Sequence, residues 1–68
     1  MLVDSAEIMR LMIRKNIGTY ELARRAGTTA LSVRNALEGQ KPTKIMTLYK
    51  IASALGVDHN NLIRGYTK

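Results

Sequence analysis

The 68-residue sequence contains no cysteine, tryptophan or phenylalanine, and only one proline and one histidine. Without cysteine there is neither a disulfide staple nor a thiolate metal ligand, a composition that suits a reducing compartment. A lone histidine, His59, excludes the multi-histidine clusters typical of metal sites. Acidic residues are scarce and dispersed, with 5 Asp+Glu in all, and no nucleophile stands beside His59. The glycines do not form a phosphate-cradling motif. No enzymatic activity, metal or cofactor is therefore expected. Long apolar runs are also missing, since nothing approaches the ~20 residues of a membrane helix. Asp4 and Glu7 interrupt the amino-terminal region where a signal peptide would be apolar. The expectation is a soluble, cytoplasmic, nucleoid-associated protein. Strand signals are absent too: there is no period-2 alternation and no Asn-Gly or Asp-Gly hairpin.

What the sequence does have is positive charge. Lys+Arg number 11, giving a formal net charge of +6 and a pI near 10.2. From Arg10 to Lys50 nine basic side chains face only Glu21 and Glu38, so this segment carries +7 and the remainder is nearly neutral. A basic domain of this kind concentrates polyanions, of which nucleic acid is the commonest in a cytoplasm. An anionic membrane surface is the rival, but the apolar residues are better explained as a core than as a lipid-facing stripe. The length suits one domain, residues 1–68, whose core is thin because a chain this short buries only about 60% of its unfolded surface.

The apolar spacing predicts helices throughout. The first runs from Ser5 to Lys15, capped by Asp4 or Ser5 and ended by Asn16; Ile8, Leu11, Met12 and the stem of Lys15 line one side. The second spans Thr19–Ala26, with Leu22, Ala23 and Ala26 inward, and Gly27 follows where a left-handed residue is needed. Thr28 and Thr29 offer hydroxyls to cap a third helix, Thr29–Leu37, with Val33 and Leu37 at the centre of its inward side. Gly39-Gln40-Lys41-Pro42 reads as a loop, because Pro42 pushes Lys41 out of helical conformation. Thr43 is expected to cap a fourth helix with Leu48, Ile51, Ala52 and Leu55 inward, closed by Gly56. Val57 and an Asp58 cap then introduce a fifth, docked by Leu62 and Ile63. Two helices as short as the second and third are unstable alone. Joined by a glycine turn over a small core, they form a helix-turn-helix, the arrangement that offers one helix face to a DNA groove.

The segments ELARRAG, GTT, LEGQKP and IASALGVDHNNLI, in this order and spacing, resemble the Cro/C1-type (lambdoid phage repressor-like, XRE family) helix-turn-helix domain over about Ile8–Gly65. The resemblance implies an all-α, compact five-helix bundle of the lambda-repressor-like DNA-binding type. Thr29–Leu37 would be its recognition helix, in a transcriptional regulator of bacterial, phage or mobile-element origin that binds DNA as a dimer. Three departures stand out. Where relatives place a glutamine at the start of the second helix, this sequence has Thr19. Where several relatives pair an arginine in the first helix with a glutamate in the third, it has Met12 and Leu37, which are expected to touch; joint replacement by apolar residues can be neutral or stabilising. Where base-contacting positions are often glutamine, it has Ala30, Leu31 and Asn35.

The candidate base readers are Thr29, Ala30, Leu31, Arg34 and Asn35. Asn35 suits adenine, Arg34 suits guanine or a phosphate, and the Thr29 methyl, Ala30 and Leu31 suit thymine methyl groups. Arg34 and Glu38, at i and i+4, have an alternative use as a surface ion pair. Candidate phosphate clamps are Thr19 and Tyr20 at the second-helix start, and Gln40, Lys41, Thr43 and Lys44 beyond the third helix. Arg24 and Arg25 are weaker candidates, one toward DNA and the other solvated. Arg10, Arg14, Lys50 and Arg64 are solvated by default. The expected partner is double-stranded operator DNA of pseudo-palindromic sequence, and the resemblance implies a homodimer paired through the fourth-to-fifth helix connection and the C-terminal end. The rival assignment is a protein-interaction module, or an antitoxin-like partner-binding domain, motivated by Ala30, Leu31 and the missing glutamine.

Overall fold

A computed structural model describes residues 3–39 and 43–63. Among these residues there are four α-helices, α1 (Ser5–Lys15), α2 (Thr19–Ala26), α3 (Ala30–Glu38) and α4 (Ile45–Leu55), followed by a single 3-10 turn, His59–Leu62. The expected fifth α-helix is thus this one turn. Asp58 does cap it, accepting from the Asn60 N–H at 2.8 Å, but Ile63 leaves it in extended conformation and forms an antiparallel bridge with Val3. Pairing with the opposite end of the chain takes Ile63 out of any helix. The Asp4 N–H donates to the Leu62 carbonyl at 2.6 Å beside that bridge. No helix among the described residues is long and apolar enough to cross a membrane.

Local chemistry explains the helix ends. Asp4 caps α1 by accepting from the Glu7 N–H at 3.1 Å, and Asn16 closes it in left-handed conformation, which asparagine tolerates. Gly27 at φ +72° ends α2 and turns the chain into α3. Thr29 caps α3 as expected, accepting from the Ser32 N–H at 3.1 Å, and stands just outside a helix that starts one residue later than expected, at Ala30. The cap of α4 is Lys44 in place of Thr43, and no side chain bonds into that helix start.

The core comprises Val3, Ile8, Leu11, Met12, Leu22, Ala23, Val33, Ala36, Leu48, Ile51, Ala52, Leu55 and Leu62. Every helix contributes to it, and all four residues expected inward on α4 are buried. On α3 the inward residues differ from expectation. Val33 and Ala36 are fully buried, while Leu37 is half-buried against the core that contains Met12. The small Ala36 side chain lets the helix backbone lie close over the core. Lys15 is exposed and lines a surface depression with Leu11, Leu55 and Val57.

Candidate nucleic-acid interface

Burial of Val33 and Ala36 fixes the rotation of α3, and the opposite face carries Leu31, Arg34, Asn35 and Glu38, all exposed. Leu31, Arg34 and Asn35 stand at i, i+3 and i+4 and therefore share one side of the helix. Four of the five candidate readers, Thr29, Leu31, Arg34 and Asn35, are exposed. Ala30 is half-buried and packs against the core. The Arg34–Glu38 ion pair that spacing permits does not form. An arginine one turn before a glutamate is the less favourable order, and glutamate at a helix C-terminus opposes the dipole. Arg34 is thereby left exposed on the outward face without that partner.

The Thr29 hydroxyl is engaged on both sides. It accepts from the Ser32 N–H and donates to Ser32 Oγ at 3.0 Å. Ser32 was not among the expected site residues, although its N–H stands three residues after Thr29, where an N-cap hydroxyl reaches.

The flanking helix starts have a feature in common. α2 begins after Gly18 and α4 after Lys44, and neither start has a side-chain cap, whereas α1 and α3 are both capped by side chains. First-turn N–H groups without side-chain partners remain available to an anion, and the helix dipole favours negative charge there. Thr19 is half-buried and Tyr20 is 77% exposed at the first of these starts; Thr43 is half-buried and Lys44 exposed at the second. Met46, two residues beyond Lys44, is also exposed and was not anticipated. The candidates Gln40 and Lys41 lie outside the described residues, as does Arg64.

Other charges are committed elsewhere. Glu21 accepts from Arg24 at 2.8 Å and from Arg25 at 2.7 Å, so a single carboxylate holds both arginines in place of the expected division between DNA and solvent. Their hydrogen bonds, Arg24 first and then Arg25, hold the Glu21 carboxyl below its ordinary range. Glu7 is lowered in the same way by Arg10, at 2.6 Å, and the arginine is correspondingly raised. These five side chains form surface pairs that contribute little stability and leave most of the net positive charge uncompensated. His59 is half-buried. Its ring meets Tyr49 edge-on at 4.3 Å, and its Nδ1 lies 3.3 Å from Asp58 Oδ1.

Comparison with known proteins places this geometry. A family model for the Cro/C1-type HTH DNA-binding domain matches residues 7–64. No curated protein and no solved structure matches the chain.

Proposed function

The chain belongs to the Cro/C1-type HTH DNA-binding domain family, and on that footing we propose that it is a small, sequence-specific transcriptional repressor. The observation that carries this assignment is the exposed outer face of α3, where Leu31, Arg34 and Asn35 stand out while Val33 and Ala36 anchor the helix beneath. In this assignment Thr29, Ala30, Leu31, Arg34 and Asn35 read base edges in the major groove. Thr19, Tyr20, Thr43 and Lys44, with Gln40 and Lys41, hold the phosphates on either side. The starts of α2 and α4, free of side-chain caps, support that role.

Two copies bind half-sites about 34 Å apart, one helical turn, on a pseudo-palindromic operator. The exposed Tyr49 on α4, against His59 of the 3-10 turn, supports a pairing surface there. As a residue 1–68 unit of bacterial, phage or mobile-element origin, the protein acts in the cytoplasm on the chromosome. A second assignment, a protein-docking module, draws on the exposure of Tyr20 and Leu31, 77% and 62%.

Selection from random duplex DNA tests the proposal. The selected duplex and a scrambled control are then titrated across a salt series. A preference of about 10³ or more, with log affinity falling by about 0.9 per log salt for each phosphate neutralised, is the expected result. Weak, sequence-blind binding would remove the reading role and favour the docking module.

A further inference from the structure

The first turn of α3 is short of hydrogen-bonding capacity. The Thr29 hydroxyl already donates to Ser32 Oγ at 3.0 Å and accepts from the Ser32 N–H at 3.1 Å. Ala30 has no polar side-chain group. Leu31 is 62% exposed and shares its side of the helix with Arg34 and Asn35. Isolated surface leucines need no function, but this one stands among the residues proposed to meet base edges. Thymine C5-methyl is the one apolar group on the major-groove edge of an unmodified base pair. 5-Methylcytosine carries the same methyl on a pair whose donors and acceptors are otherwise those of G·C.

We propose that Leu31 makes the first turn of α3 a reader of pyrimidine C5-methyl groups, so that 5-methylcytosine keeps the contact that thymine makes there. The inference rests on the DNA-reading assignment above. Under it, Arg34 and Asn35 read polar edges in the second turn, while the first turn distinguishes methylated from unmethylated pyrimidines whatever base they belong to. Cytosine C5-methylation within an operator would then raise occupancy by this protein.

The test uses the full chain and the selected operator, with anisotropy titrations at each thymine replaced symmetrically in both half-sites. Four base pairs are compared: T·A, U·A, 5-methylcytosine·G and C·G. At the position under Leu31, T should bind about fourfold more tightly than U per half-site, the factor expected for burying one methyl-sized group. 5-Methylcytosine should exceed C by a similar factor. Leu31→Ala should bring both ratios close to one. It removes no core packing, and an unchanged circular dichroism spectrum and melting curve verify that it folds. Asn35→Ala should weaken all four duplexes and leave the two ratios unchanged. An operator that tolerates uracil at every thymine, contains no thymine, or keeps its methyl ratios in Leu31→Ala overturns methyl reading while DNA reading stands. If selection yields no preferred sequence, the DNA-reading assignment itself fails, and methyl reading with it.

Discussion

Gly39 couples the end of α3 to the first turn of α1, and its replacement should be costlier than that of other glycines with the same backbone. Gly27, Gly39 and Gly56 all close helices at φ between +66° and +73°. A Cβ at Gly27 or Gly56 would meet nothing within 4 Å, whereas one at Gly39 would lie 2.7 Å from Ser5 Oγ. For Gly27→Ala and Gly56→Ala only the left-handed conformation matters, at about 1–2 kcal/mol. Restriction of the unfolded chain offsets about 0.4–1 kcal/mol of this, leaving a loss of about 1 kcal/mol each. Gly39→Ala must in addition drive the Ser5 hydroxyl from its position or move the backbone, adding on the order of 0.5–1.5 kcal/mol. In a domain of this size about 1 kcal/mol corresponds to roughly 4–8 °C in Tm. Gly39→Ala should therefore lower Tm by about 8–16 °C, roughly twice the effect at the other two positions. Ser5→Ala should be close to neutral alone, because Asp4 is the cap, and should recover the excess loss when combined with Gly39→Ala. Thermal and urea unfolding followed by circular dichroism at 222 nm measure all five variants. If Gly39→Ala melts with Gly27→Ala and Gly56→Ala, or if Ser5→Ala fails to rescue it, the close approach of α3 to the start of α1 is wrong.

Four further outcomes are expected. Asn35→Ala should cost roughly 1–3 kcal/mol on the preferred operator and relax one base position. Lys44→Ala should weaken selected and random duplexes alike and reduce the salt slope by about 1; identical behaviour of the two variants on every sequence would refute the division between reader and clamp. Thr29→Ala should destabilise the fold by about 1 kcal/mol through loss of the α3 cap, and Thr29→Ser should retain that stability, as measured by urea midpoints. Glu7 and Glu21 have folded-state carboxyls below the ordinary value of 4.5. Their stabilisation is therefore complete above that value and fades as acid lowers the pH through the folded-state range. The Tm of the double variant Glu7→Gln, Glu21→Gln should fall slightly below the parent at pH 7 and converge with it once acid has protonated both carboxyls in the folded state. High salt should narrow the gap at neutral pH, because all the partners are exposed.

The elements read most reliably from sequence were those whose ends have a local chemical cause. α1 begins and ends as expected, and α2 ends as expected, because Asp4, Asn16 and Gly27 act on backbone groups a few residues away. The buried stripe of α4 was equally legible, since Leu48, Ile51, Ala52 and Leu55 repeat at helical spacing. Residue size misled the reading of α3: Leu37 looked more central than Ala36, yet close packing placed the smaller side chain deeper. Hydroxyl chemistry at Thr43 suggested a cap, but Lys44 occupies that position with extended backbone. Of the candidate site, the outward placement of Leu31, Arg34 and Asn35 followed from periodicity. The internal engagement of Thr29 with Ser32 and the capture of both Arg24 and Arg25 by Glu21 depended on side-chain rotamers that spacing leaves open.

Composition, helical periodicity and the capping residues determined by themselves that this chain is helical, basic and built around a helix-turn-helix, since each acts over no more than a few turns of chain. Tertiary structure alone decided how the two ends of the described chain meet. Val3 is buried in the core and bridges to Ile63, and Asp4 binds the Leu62 carbonyl. That pairing limits the last element to one 3-10 turn and brings His59 against Tyr49. It joins residues about sixty positions apart, and no local pattern encodes a contact at that separation, because its free energy depends on where every intervening helix has packed.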